Sequence, residues 1–331
     1  MRVVIIGGTG NISTSIVPLL VQAGHEVTCY NRRQSGDVPD GVRVIQGDRR
    51  ERAEFEATMQ REKFDVAIDM ICFTRDDAES NLRAFRDVQQ FIQCSSVVTY
   101  GTDFRWLPVT EDHTINPTTD YARGKAEADA VYLAAYYSSG FPVTIIKPST
   151  THGPRQGLTR QIAWDFSWID RVRKGKPIVV CGDGLALHQY LHVADAALGF
   201  AGVIGKAHCI GQTYNLVDRG YATWADYHRT LMRIVGQEVE IIGVPLAELV
   251  ALNVPAVGIC KDIFAYNLVY SAEKLFRDVP EYRPQHTLES AMRHILDAMD
   301  AAGRIPDSDA IQWEDQIIAA QRQVQGIALT L

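Results

Sequence analysis

The chain has 331 residues, 46% of them hydrophobic and 22% charged, with a net charge of −7. That balance belongs to a folded globular protein of one large domain or two smaller ones, not to a disordered chain. The acidic charge excludes broad binding to nucleic acid or anionic membrane, and no apolar run of about 18 residues offers a membrane span.

Met1-Arg2-Val3-Val4-Ile5-Ile6 enters a buried strand at once, with no signal-like apolar region before it, so a cytoplasmic protein is expected. Residues 3–6 read as the first strand and 11–23 as a helix. Further strands are expected at 26–30, 42–46, 66–71, 90–95 and 143–147. Short apolar runs separated by helical stretches predict a parallel sheet covered on both faces. Right-handed crossovers then give an α/β fold with an open, doubly wound sheet.

After Gly153 the texture changes. A helix is expected over 158–174, where Trp164, Phe166 and Trp168 either pack between two lobes or line a substrate pocket. A strand at 177–181 and the turn Gly182-Asp183-Gly184 follow, then helices at 224–235 and 288–301, a strand at 239–243 and a final amphipathic helix at 312–325. The division expected is a dinucleotide-binding domain at 1–156, to which 186–212 return, and a smaller non-contiguous α+β substrate lobe at 157–185 and 213–331. The cysteines Cys29, Cys72, Cys94, Cys181, Cys209 and Cys260 are widely spaced without a CxxC pair, which favours buried thiols over disulfides or a zinc site.

Ile5-Ile6-Gly7-Gly8-Thr9-Gly10-Asn11-Ile12-Ser13 joins a strand to a helix. A pyrophosphate can sit at such a junction, because the first helical N–H groups lack internal partners and the helix dipole favours negative charge there. Gly7 and Gly10 allow the tight turn and close backbone approach, with Asn11 and Ile12 opening the helix; Ser13 takes the third glycine position. The competing reading is a plain strand–helix turn.

The second strand ends Tyr30-Asn31-Arg32-Arg33, where an acid would bind the adenosine ribose of NAD. Asn31 followed by guanidinium groups favours the 2′-phosphate of NADP, and leaves NAD open. After the third strand, Asp48 is a candidate for the adenine amino group and Arg49 a neighbouring cofactor contact. For the early arginines as a set, including Arg50 and Arg52, a solvated loop is the alternative.

Pro117-Thr118-Thr119-Asp120-Tyr121 opens a helix on which Tyr121 and Lys125, four residues apart, share one face. A nearby ammonium favours the phenolate, and so is expected to lower the tyrosine below its ordinary pKa of about 10 and to suit it to acid/base work. Ser95-Ser96-Val97-Val98-Thr99-Tyr100-Gly101 ends a buried strand, and Lys147-Pro148-Ser149-Thr150-Thr151-His152-Gly153-Pro154 ends another on the same rim. A hydroxyl there can hold the substrate oxygen while Tyr121 moves its proton.

In order and spacing these segments resemble the extended short-chain dehydrogenase/reductase superfamily, the NAD-dependent epimerase/dehydratase family, over roughly residues 1 to 300. Pro108-Val109-Thr110-Glu111-Asp112 and Gly182-Asp183-Gly184…His192-Val193-Ala194-Asp195 belong to the same pattern. The resemblance implies a Rossmann fold, Ser96 as catalytic serine and Tyr121 as general acid/base. It also implies that Lys125 holds the nicotinamide ribose, that Pro148 lies near the nicotinamide, and that the protein is a homodimer.

The departures bear on substrate. Sugar-nucleotide members carry a diphosphate-binding arginine after the Gly-Asp-Gly turn, where this chain reads Leu187-His188-Gln189-Tyr190. Their asparagine after the Lys/Arg-Pro strand is replaced in the Ser149-Thr150-Thr151 region. Together with Gly-Gly-Thr-Gly-Asn-Ile-Ser and Asn31-Arg32, this resembles an atypical branch that includes plant chloroplast RNA-binding relatives. Ser96, Tyr121, Thr150 and His188 are the expected substrate contacts. His188 and His192, with His152 nearby, lack a clear third ligand, so no metal is expected.

Three functions follow. The favoured one is an oxidoreductase moving hydride between NADP or NAD and a secondary alcohol or ketone of a polyol, sugar or sugar-derived metabolite. The second is an epimerase or dehydratase with retained cofactor. The third is a non-catalytic RNA-associated relative, against which the acidic charge and the presence of Ser96, Tyr121 and Lys125 together argue.

Overall fold

The computed structural model describes residues 1–32 and 38–325. In chain order the first elements are β1 (Arg2–Ile6), α1 (Ser13–Gln22), β2 (Glu26–Asn31), β3 (Arg43–Gln46), α2 (Arg52–Glu62), β4 (Val66–Asp69), α3 (Arg75–Ala84), β5 (Gln90–Cys94), α4 (Asp120–Ser139) and β6 (Val143–Pro148). They continue through β7 (Thr150–His152), α5 (Ser167–Arg173), β8 (Ile178–Cys181), β9 (Leu187–His188), β10 (Tyr190–His192), α6 (Val193–Gly202) and β11 (Thr213–Leu216). The last are β12 (Ala222–Thr223), α7 (Trp224–Val235), β13 (Ile241–Val244), α8 (Leu246–Ala251), α9 (Glu273–Asp278), α10 (Leu288–Ala301) and α11 (Trp313–Gln325).

The chain divides into two compact units. The first comprises Met1–Thr151, Tyr190–Arg219 and Tyr270–Gln285; the second takes His152–Gln189, Gly220–Val269 and the chain from His286 on. In the first unit a seven-stranded sheet runs β11-β6-β5-β4-β1-β2-β3, each adjacent pair parallel. Its strands read as continuous apolar runs because both faces are covered. Val3 and Ile5 face one core with Ile16, Leu20 and Phe200, while Val4 and Ile6 face another with Phe55, Phe91 and Tyr132.

Three expectations about this framework change. Residues 213–216 are the edge strand of the large sheet, Thr213 to Leu216 pairing with Ile145 to Pro148, and 270–285 also belong to the first unit. The substrate lobe therefore does not begin at 213 or run on unbroken from there. The helix expected at 158–174 is confined to Ser167–Arg173. Its start is set by Asp165, whose carboxylate accepts the Ser167 N–H at 2.9 Å. The segment before it is irregular and buried: the Leu158 backbone carbonyl accepts Trp168 Nε1–H, and the Gln161 side-chain Oε1 accepts the Cys181 N–H, each at 2.9 Å. Trp168 packs inside the second unit against Tyr227 and His228, while Trp164 is largely exposed.

The second unit holds two small strand pairs, β13 parallel to β8 and β12 antiparallel to β9. Among the described residues no helix is long and apolar enough to cross a membrane.

Candidate active site

Because the sheet is parallel, everything that follows a strand's carboxyl end lies on one rim. Gly7 follows β1, Asn31 and Arg32 end β2, Asp48 follows β3, Ser96 follows β5 and Pro148 ends β6.

The glycine turn is shaped by two different constraints. Gly7 has φ of 81°, a left-handed conformation that favours glycine, and donates its N–H to the Tyr30 carbonyl at 3.0 Å. A Cβ on Gly8 would overlap Cys29 Sγ, so the packing of β1 on β2 excludes one. At Gly10 the protein makes no such demand. A Cβ there would meet Ser13 Oγ at 3.4 Å and the Gly7 carbonyl at 3.5 Å, and nothing closer. The space kept open at Gly10 is the approach that a pyrophosphate needs. Ser13, in the third glycine position, is buried and ties the turn together by donating its hydroxyl to the Gly7 carbonyl at 2.8 Å. No side chain caps the N-terminus of α1, which opens after Asn11 and Ile12.

Asn31 is 7% exposed, and neither Nδ2 nor Oδ1 has a hydrogen-bond partner among the described residues. An orphaned buried amide at the end of β2 fits a ligand hydroxyl or phosphate completing it. Arg32 is exposed beside it; Arg33 lies outside the described residues. The Asp48 carboxylate is gripped by Arg50, through Nε at 3.0 Å and Nη2 at 2.6 Å, and this holds it down to about 2. Arg49 departs from expectation. Its guanidinium is 6% exposed and turned inward, with Asp69 Oδ2 2.5 Å from Nη1 and the Asp77 carbonyl 3.1 Å from Nη2. An arginine so engaged braces β4 and α3, and its guanidinium is not presented to a cofactor phosphate. These residues fit a nicotinamide dinucleotide: Gly7, Gly10, Asn11 and Ile12 for the pyrophosphate, and Asn31, Arg32 and Asp48 for the adenosine half.

At the other end of the rim stands α4, capped by Thr119, whose hydroxyl accepts the Ala122 N–H at 3.1 Å. Gly124 lets α4 press on the loop after β4, since a Cβ there would overlap the Phe73 carbonyl. Lys125 is 1% exposed and donates from Nζ to the Cys94 carbonyl at 2.6 Å. Its ammonium lies 4.6 Å from the centre of the Phe73 ring and 5.8 Å from that of Tyr121. Burial disfavours that charge, but Cys94, Tyr121, Cys72 and Asp69 outweigh it and raise the lysine above its ordinary value, so it stays protonated.

The Ser96 hydroxyl lies near enough to the Tyr121 phenol to lower it, and Lys125 acts on the same phenol, so the three predicted residues are neighbours. The acidity of the phenol corrects the expectation. Tyr121 is 48% exposed with Phe73 packed near its ring, and desolvation raises the phenol above its ordinary value. Lys125 and Ser96 pull it down without reversing the sign.

The remaining predicted residues are less central. Thr150 lies in β7, two residues beyond Pro148, and Asn11 Nδ2 makes a long 3.5 Å contact to the next carbonyl, that of Thr151. His188 belongs to the second unit, 2% exposed, with its ring 4.9 Å from Trp224 and 5.0 Å from Phe264. Burial pushes its imidazole down to about 3, so it is a neutral core histidine. That aromatic packing replaces the expected substrate contact. Among the described residues no three His, Cys, Asp or Glu side chains are grouped to hold a metal ion.

The family model for the NAD dependent epimerase/dehydratase family matches residues 3–216. The chain belongs to that family. It is accordingly an NAD(P)-dependent enzyme of the extended short-chain type, with the Rossmann architecture described above.

Among curated relatives, the chain is similar to 2′-dehydrokanamycin reductase of Streptomyces kanamyceticus, at 26% identity over 99% of this chain and 93% of that one. It is also similar to the chloroplast stem-loop binding protein of 41 kDa b of Arabidopsis thaliana, at 27% over 67% of this chain and 60% of that protein. Among solved structures, UDP-glucose 4-epimerase of Thermotoga maritima with UDP-glucose superposes with a TM-score of 0.74 at 17% identity. That match covers 91% of this chain and 99% of the epimerase, and shows a shared fold.

Within this family site, Phe73, Gly124, Asp69 and Asp129 escaped sequence reasoning. Asp129 was within reach, because it follows Lys125 by one further helical turn on the face that carries Tyr121.

Proposed function

We propose that this enzyme is a net oxidoreductase that reduces a ketone, or oxidises the matching secondary alcohol, on a small sugar-derived molecule, with dissociable NADP as its preferred cofactor. The observation that carries the reading is the gathering of Ser96, Tyr121 and Lys125 on the rim that also bears the glycine turn.

Bound nicotinamide supplies the hydride donor or acceptor. Ser96 offers a hydroxyl to the substrate oxygen as that oxygen gains charge. Tyr121, a protonated phenol near neutrality, gives its proton to the same oxygen in the reductive direction. Lys125, buried and cationic, offsets the phenolate that remains.

The similarity to a reductase over nearly the whole chain favours net redox chemistry. A substrate without a nucleotide diphosphate is favoured because Leu187-His188-Gln189-Tyr190 provides no arginine for one, and His188 and Gln189 are each 2% exposed. Asn31 and Arg32 support the preference for NADP. We place the enzyme in the cytoplasm as a homodimer. Its six cysteines, all buried free thiols, support the first assignment, and the second rests on family resemblance. A nucleic-acid role finds no support in a net charge of −7.

The test is a panel of keto-sugars and amino-sugar ketones mixed with NADPH or NADH, read by nicotinamide absorbance. Stoichiometric loss of the reduced cofactor with one substrate class supports the proposal. Interconversion of isomers with no net change in cofactor would support the epimerase reading instead.

A further inference from the structure

Beneath the proposed catalytic residues lies a second, fully buried polar set. Lys147 Nζ is 2.5 Å from Asp129 Oδ2, 2.8 Å from Thr99 Oγ1 and 3.3 Å from Ser95 Oγ. Ser95 Oγ in turn donates to Asp129 Oδ2 at 2.6 Å. All four residues are at most 6% exposed, and the Lys147 ammonium sits 5.3 Å from the centre of the Tyr100 ring.

The placement of these residues along the chain gives the set its meaning. Ser95 immediately precedes Ser96. Asp129 stands on α4 one turn beyond Lys125 and two beyond Tyr121. Lys147 immediately precedes Pro148. Each member is fixed to an element that carries one part of the proposed site: residues 95–119 separate β5 from α4, and although 140–142 join α4 to β6, Asp129 and Lys147 stand well away from that turn. A buried ion pair is a costly way to gain stability, because two charges must leave water and apolar residues of similar volume often serve as well or better. What such a pair supplies beyond stability is direction: short charge-assisted bonds hold their partners in one geometry.

We infer that Ser95, Asp129 and Lys147 are positioning residues that lock the end of β5, helix α4 and the end of β6 in the one register that brings the Ser96 hydroxyl to the Tyr121 phenol. The inference rests on the reading of Ser96, Tyr121 and Lys125 as the reacting set. It predicts that the pair serves turnover in a way that stability alone does not replace.

The experiment compares Lys147→Met, Asp129→Leu, the double variant Lys147→Met/Asp129→Leu, and the milder Ser95→Ala. Thermal unfolding, dinucleotide affinity by calorimetry, kcat and KM are measured, with a crystal structure of the double variant. Each single charge removal is expected to lower Tm by leaving its partner buried and unpaired. The double variant is expected to regain Tm and bind dinucleotide within about twofold of the parent, yet stay roughly tenfold or more below it in kcat with little change in KM, since small misplacements of reacting groups are expensive. Ser95→Ala, which keeps both charges, is expected to fold normally and lose several-fold in kcat.

Parent-like kcat in the double variant, or in Ser95→Ala, overturns the inference. The crystal structure reads the geometry without turnover. Ser96 and Tyr121 displaced from one another support the inference, and an unchanged separation refutes it. If the parent protein itself neither binds dinucleotide nor turns over, the proposed function fails, while that structural comparison still decides the positioning role.

Discussion

Lys125 reaches from α4 to the Cys94 carbonyl, 2.6 Å from its Nζ, and is thereby pinned at the end of β5, beside Ser96. The hydrogen bond fixes where the ammonium acts, and its field opposes the desolvation that raises Tyr121. Alcohol oxidation needs the phenolate, so its rate should rise with pH until the phenol has titrated. Lys125→Met removes the downward pull, and the rise should move to higher pH in log(kcat/KM) profiles. A profile shifted downward, or unmoved, would mean that the lysine charge does not act on the tyrosine.

Gly8 and Gly10 look alike in sequence and differ in the structure. Gly8→Ala places a methyl on Cys29 and should destabilise the first unit by about 1–3 kcal/mol, the cost of overpacking. Gly10→Ala meets only ordinary neighbours, so it should leave Tm nearly unchanged and weaken dinucleotide binding by tenfold or more. Thermal unfolding and calorimetry on the two variants separate the roles.

Arg32→Ala tests the cofactor preference. Loss of a guanidinium beside the adenosine ribose should weaken NADP by roughly tenfold, the scale of one charge-assisted hydrogen bond, and leave NAD within about twofold. Equal loss for both would remove the basis for preferring NADP.

How much of this was visible in the sequence depended on range. The central strands were legible because burial on both faces leaves unbroken apolar runs, and Tyr121 with Lys125 was legible because helical spacing is local. Strand β11 was not: Asn215 is fully buried in it, its amide satisfied by Tyr100, by the Val109 carbonyl and by the Ser271 carbonyl, all far away in sequence. Arg49 resembled a cofactor contact because its partner, Asp69, lies twenty residues on. Likewise 158–166 resembled a helix because the ion pair of Arg160 with Glu314 cannot be read from either segment alone.

The two buried histidines of the second unit give a pH signature. His188 and His228 are each held down to about 3 by desolvation, against 6.5 as the ordinary value. Between those values the unfolded chain binds the extra protons, so their contribution to stability is complete above about pH 6.5 and is lost as pH falls towards 3. His188→Phe should reduce the slope of unfolding free energy against pH by about one proton, or about 1.4 kcal/mol per pH unit, between pH 4 and 6. Denaturant titrations across that range measure it, and an unchanged slope would show that His188 is protonated in the folded protein.

The central claim is that one phenol, set on the cofactor rim by α4, moves the proton. Tyr121→Phe keeps the ring and removes the hydroxyl, so dinucleotide affinity by calorimetry should stay within about twofold of the parent, while kcat for ketone reduction falls by about 10²–10⁴. Parent-like turnover in that variant, with the dinucleotide still bound, would contradict the account.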